Sequence, residues 1–288
     1  MMEKKYKLTE ESINVDGRTL YRIEALKDFD VVEKGDKGGF IENESNLSQS
    51  GDCWVYGNAK VSDNAMVSGN AKVYDNARVY GNALVCGNAL VCGNALVCGN
   101  ALVFGNASIY GDASIYGDAK VYGNAWVFGT AKVYCDAKVY CNAMVYDNAK
   151  VYEDARIYGN AKVCHNAAVF GDAVVYGYVM VFGDAMVYDN AMVYDNAQVS
   201  GNAQVFGNTE IRGDAVITNK SDYIVFKNWW SSGRFFTWTR SNNMWKVGCF
   251  YGTGKELIEK AYKDSEMSGE EYERVVKYVE AILKANKL

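Results

Sequence analysis

An aliphatic residue stands at every sixth position from 55 to 217, with no insertion or deletion: Val55, Val61, Val67 and onward to Ile211 and Ile217. These 28 positions bound 27 hexapeptides whose common phrase is VYGNAx, nearly pure at 73–78 (VYDNAR), 121–126 (VYGNAW) and 145–150 (VYDNAK). A fixed short period marks a solenoid, and a period of six is that of a parallel β-helix. Strand side chains alternate between faces. If Val points inward, so does the Ala two residues before it, while Tyr and the variable residue point out. Gly, Asn and Asp tolerate positive φ, so the Gly/Asp-Asn/Asp pair is expected to make each corner. Three such sides close a triangular coil of 18 residues, and the repeats give about nine coils. At 4.8 Å between stacked strands the prism is about 43 Å long. Val stacks on Val one coil later in dry ladders. The 288-residue chain contains no proline, which suits a ladder that needs every donor. Tyr178 and Val179 are the clear misfits, in slots held elsewhere by Asn/Asp and Ala, and Thr209 is a milder change in the Ala slot.

The repeat aliphatic-x-x-x-Ala-x resembles the hexapeptide-repeat proteins, which form left-handed β-helices and are often acyltransferases. The approach to the first coil, KGDKGGFIENESNLSQSGDCWVYGNA at 34–59, resembles the start of the YdcK-like acyltransferase-like proteins of bacteria and phages. The left hand is implied by that resemblance, since parallel crossovers are ordinarily right-handed. The expected fold is therefore mainly β: a left-handed parallel β-helix with an N-terminal β cap (1–54), the repeat region (55–217) and a small α+β C-terminal module (218–288). Asp16-Gly17 between two alternating runs signals a hairpin in the first cap. In the last module three strands are expected from YIVFKNWW, GRFFTWTRS and MWKVGCF. Two helices follow, opened by capping boxes at Thr253–Glu256 and Ser268–Glu271. Tyr272, Val275, Val276, Val279, Ile282 and Leu283 form one apolar stripe on the second.

The formal net charge of −5 implies no general affinity for nucleic acid. No run of 18 apolar residues and no signal-peptide pattern occurs, so no membrane association is expected and the cytoplasm is the default. None of the eight cysteines has another 18 residues away, so they are expected to be free thiols, with neither a disulfide staple nor a metal site. GCFYGTGK at 248–255 has the wrong glycine spacing for a phosphate loop, and Glu256 stands where Ser or Thr would hold magnesium.

Three places could carry function. His165, the single histidine, sits in a corner slot. The resemblance makes it the catalytic base of an acyl-CoA-dependent acyltransferase, with acetyl-CoA as cosubstrate and a site at a subunit interface. No loop interrupts the repeats, which counts against that alternative. Secondly, stepping by 18 groups Met66, Leu84 and Leu102 beside Cys86 and Phe104, an apolar patch expected to mediate self-association. The resemblance favours a homotrimer. The same stepping places Trp54, Leu90, Trp126, Met144 and Met180 on another face. Thirdly, Trp229, Trp230, Trp238 and Trp245 concentrate in the C-terminal module, and strand alternation puts Arg234, Phe236, Trp238 and Arg240 on one face near Trp245. Such a surface suits a partner protein or small ligand. The resulting expectation is a non-enzymatic solenoid scaffold that needs no cofactor. Its very uniform repeat, typical of recent duplication, suits a phage-encoded protein.

Overall fold

The computed structural model describes residues 3–229 and 233–285. A hairpin of β1 (Tyr6–Val15) and β2 (Arg18–Ala25) turns at Asp16-Gly17, where both residues have positive φ, 51° and 84°. That pair is the geometry of a two-residue turn matched to strand twist. β3 (Lys37–Ile41) pairs antiparallel with β2 and parallel with the first repeat of its sheet. Twenty-eight two-residue strands, β4 to β31, then run from Trp54–Val55 to Val216–Ile217. Each but the last of its sheet pairs in parallel with the strand 18 residues on, as in Leu90↔Ser108 and Val91↔Ile109, and the chain thereby builds three sheets. The molecule is a parallel β-solenoid of triangular coils.

Every repeat Val or Ile from Val55 to Ile217 is fully enclosed, and so is the residue two before each of them, which is Ala except at Cys53, Val179 and Thr209. The winding begins before the strict period does. Phe40 pairs with Lys60 and Leu47 with Val67, an offset of 20 residues instead of 18. Gly38 and Gly39 permit this close approach: a Cβ on either would lie 2.6 Å from a carbonyl oxygen, of Val55 and Ala59 respectively.

The corner differs from expectation in one respect. Positive φ falls on its first residue only, Gly in most coils and Asp63, Asp75, Cys135, Cys141, Asp147, Glu153, His165, Asp189 or Asp195 in others. The Asn that follows stays in ordinary backbone space and builds an amide ladder. Asn70 donates to Asn88, Asn88 to Asn106, Asn106 to Asn124 and Asn124 to Asn142, each through Nδ2 to Oδ1 at 3.0 Å. Asp195 pairs with Arg212, whereas at Asp63, Asp75, Asp147, Glu153 and Asp189 the corner carboxylate accepts the N–H one coil on, as Asp63 does from Gly81 (3.0 Å) and Glu153 from Gly171 (2.8 Å). That bond offsets the strain of a non-glycine residue in left-handed space. Asn106→Ala removes two rungs at once and is expected to lower stability by about 1 kcal/mol, because the exposed neighbours recover water. A denaturant midpoint unchanged from the parent chain would refute this role.

The outward aromatic column stacks at the strand spacing. Tyr134 and Tyr152 lie 4.9 Å apart at 5°, and Tyr122 and Tyr140 4.9 Å apart at 2°. Tyr178 interrupts the Asn column and projects into solvent, 69% exposed, while Val179 fills the interior Ala slot without exposure.

Both ends of the winding are covered. In most repeats three N–H groups point to the following coil, for example Asn58 to Asp75, Lys60 to Ala77 and Ser62 to Val79. Outward carbonyls therefore dominate the N-terminal end and outward N–H groups the C-terminal end. The first end receives donors: Lys5 Nζ to the carbonyls of Cys53 (2.8 Å) and Gly51 (3.1 Å), Tyr6 Oη to Leu47 (2.7 Å), and the Asn46 amide to Ala65 (2.8 Å). Burial holds the Lys5 ammonium below its ordinary pKa. Trp54, placed by stepping on an outward face, is 1% exposed because Tyr6 and Phe29 cover it edge-on at 6.1 and 5.3 Å.

The last module is a four-stranded antiparallel sheet, β32 (Tyr223–Lys227), β33 (Phe235–Thr239), β34 (Met244–Val247) and β35 (Phe250–Gly252), followed by α1 (Gly254–Asp264) and α2 (Glu266–Ala285). The capping box at Thr253–Glu256 forms, with Glu256 N–H donating to Thr253 Oγ1 at 3.3 Å and Thr253 N–H to Glu256 Oε2 at 2.8 Å. The second box, expected at Ser268–Glu271, does not form, and a serine three residues earlier caps the helix instead. Ser265 Oγ accepts from Ser268 N–H at 3.1 Å, and α2 starts at Glu266. No helix among the described residues is long and apolar enough to cross a membrane.

Candidate functional site

The alternation expected for β33 is present, but the aromatic face points inward. Phe236, Trp238 and Trp245 are buried with Val247, Leu257, Val276 and Val279 between the sheet and the two helices. Trp238 pairs across the strands with Trp245, its Nε1 donates to Asn243 Oδ1 at 2.9 Å, and Phe236 meets Tyr272 edge-on at 4.7 Å. As an exposed aromatic surface the group Arg234, Phe236, Trp238, Arg240 and Trp245 is thus corrected: a module of this size needs those rings as its core. Arg234 remains at the surface and Arg240 is half-buried. Trp230 lies outside the described residues, and Trp229 is exposed. What stays open on the module is a groove of about 240 Å³ lined by Arg234, Cys249, Phe250, Lys260, Asp264 and Tyr272.

The opposite face of β33 meets the end of the winding. Thr237 Oγ1 accepts from Glu210 N–H (3.2 Å), Ser241 Oγ from Val216 N–H (2.7 Å) and Asp222 Oδ2 from Thr218 N–H (2.7 Å). Lys246 pairs with Glu210 at 2.8 Å, and Glu210 also accepts from the Tyr194 hydroxyl at 3.1 Å. Burial, with Glu210 beside it, pushes the Tyr194 hydroxyl well above its ordinary pKa.

The apolar column is assembled as stepping implied. Met66, Leu84 and Leu102 are in register on consecutive coils, with Cys86 and Phe104 in the adjacent column. Met66 is 40% exposed and the other four are half-buried. Below Leu102 the same column turns cationic through Lys120, Lys138 and Arg156.

His165 occupies a convex corner with φ 59°. Its Nδ1 lies 3.4 Å from Cys164 Sγ, its N–H donates to Asp147 Oδ2 at 3.2 Å, and its ring leans toward Phe182, 6.3 Å between centroids. Asp147, Cys164 and His165 hold ligand atoms within 4.8 Å of one another. Burial pushes the Cys164 thiol up, against a hydrogen bond with Tyr146 that lowers it. That same bond, with burial, raises the Tyr146 phenol to about 12. A shallow cleft of about 530 Å³ lies beside them, lined by Gly129, Thr130, Asp147, Asn148, His165 and Asn166. The trio escapes a search for cysteine pairs. The signal that finds it is the coil step applied to the histidine, since 165 less 18 is 147.

Residues 71–87 and 185–201 match the YdcK β-solenoid repeat. No curated protein matches the chain. The match covers two short stretches and agrees with the stacked parallel coils. The chain is a β-solenoid repeat protein.

Proposed function

We propose that this chain is a non-catalytic scaffold, a rigid spacer that self-associates through one face of its prism and carries a partner-binding module at one end. The observation that supports it most is the in-register column of Met66, Leu84 and Leu102 on a flat sheet, with Cys86 and Phe104 alongside. An apolar patch fixed on a rigid surface loses little conformational entropy on association and gains about 25 cal/mol for each Å² it buries. A second copy is the occupant proposed. Three-fold assembly is the arrangement that the hexapeptide-repeat resemblance implies, and the cationic stretch below Leu102 limits the contact to the upper coils. At the other end the groove between Arg234, Phe250, Lys260 and Tyr272 is the part of the module open to a small anionic ligand or an acidic segment of a partner.

Light scattering tests the assembly. The parent chain is expected at a multiple of 31.9 kDa. Leu84→Glu with Leu102→Glu is expected to give the single-chain mass. Met66→Glu, at the most exposed position of the column, gives the same direction with less risk to folding. Melting curves confirm that each variant is folded. Unchanged mass in a folded double variant overturns the assembly face.

A further inference from the structure

We propose that Asp147, Cys164 and His165 form a zinc(II) site at one corner of the prism, with a solvent molecule as fourth ligand. Two neighbouring slots depart from the repeat together. Cys164 stands between Tyr146 and Phe182 in the aromatic column, and His165 between Asp147 and Gly183 at the first corner position. Exchanging a ring for a thiol opens a slot in the stack with sulfur at its floor. The left-handed backbone at both His165 (59°) and Asp147 (58°) turns their side chains to that same slot. The Sγ···Nδ1 separation is 3.4 Å. Zinc bonded tetrahedrally to sulfur at about 2.3 Å and nitrogen at about 2.05 Å needs an edge of about 3.6 Å. The thiol and the imidazole therefore stand at a binding distance already. The Asp147 carboxylate is held beside them by the His165 N–H, and all three donor atoms fall within 4.8 Å.

The donor set selects the metal. Thiolate, imidazole and carboxylate together suit zinc over magnesium or calcium, which take oxygen ligands alone. Binding converts the Cys164 thiol to a zinc-bound thiolate and releases its proton to solvent. The shallow cleft at Thr130 and Asn148 leaves the fourth position open to water. Three protein ligands and one solvent ligand is the pattern of an accessible zinc rather than a closed structural one.

The test uses the full chain stripped of metal, titrated with zinc(II) by calorimetry and with cobalt(II) by absorption. One ion per chain is expected, with a thiolate-to-cobalt charge-transfer band. The informative variant is Cys164→Tyr with His165→Gly, because both replacements restore residues that neighbouring coils carry in those slots, so folding is retained. It is expected to weaken binding at least about 100-fold, since loss of supporting groups alone costs 10–100-fold. Cys98→Tyr, which restores the aromatic column on another face, is expected to leave binding and band unchanged. Absence of binding by the parent chain, or equal binding by the Cys164→Tyr, His165→Gly chain, overturns the proposal. So does loss of the band in Cys98→Tyr.

Discussion

Val139→Asp is expected to cost at least about 4 kcal/mol and to unfold the solenoid at denaturant concentrations where the parent is intact. Val139 is fully enclosed and stacks between Val121 and Ile157, one coil to either side. A carboxylate there has no donor to meet it, because every backbone N–H nearby is committed to the ladder. It must ionise in a dry interior or take up a proton, and both are costly. The neighbouring change Lys138→Asp supplies the control. Lys138 is half-buried on the outward face of the same two-residue strand, in register with Lys120 and Arg156. Replacing the middle of three stacked cations by an anion relieves repulsion, so stability is expected to hold or rise, within about 0.5 kcal/mol. Two adjacent positions, the same incoming side chain and opposite outcomes follow from the alternation of faces alone. Circular dichroism against denaturant reads both. Equal losses at 138 and 139 would mean that the coil does not separate an inside from an outside.

That alternation is why the winding could be read from the chain. A period of six with no slip leaves one way to bury Val and Ala together, and 18 residues per turn then places every outward side chain on its column. The Asn position was harder. Both corner residues belong to types that tolerate positive φ, yet only the first adopts it, and the amide ladder between Asn70, Asn88 and Asn106 appears once coils are stacked. The C-terminal module lacked a period to fix direction. Alternation along β33 sorted Phe236 and Trp238 from Thr237 and Thr239, but not which set meets the rest of the molecule. The answer lies in the ladder end. A coil that finishes in unpaired N–H groups needs oxygen acceptors against it, so the threonine face turns to the solenoid and the rings turn to the helices. The Asp147, Cys164 and His165 cluster was legible in principle, since it needs only the coil step applied to unlike residues.

Removing residues 218–288 is expected to convert discrete particles into end-joined ones. The module satisfies the N–H groups of Glu210 and Val216 through Thr237 and Ser241, and it covers the last Val and Ile layer. Without it the final coil shows a row of donors above an apolar floor, which is a template for pairing. At the other end Phe40, Glu42 and Ser48 donate to the carbonyls of Ala59, Val61 and Val67. A fragment of residues 55–217 therefore carries donors at one end and acceptors at the other. Head-to-tail joining of such ends has no geometric limit, so filaments are expected from the fragment that lacks both caps. With only the C-terminal module removed, one raw end per chain remains; two such ends are both rich in donors, so they meet through their apolar floors and growth stops at pairs. The milder variant Thr237→Val with Ser241→Ala keeps the module in place and orphans two N–H groups. It is expected to lower stability by about 2–4 kcal/mol without joining the particles. Electron micrographs and light scattering separate the three cases. If the chain without residues 218–288 keeps the parent's number of chains per particle and melts with it, the module is not the cap of this solenoid.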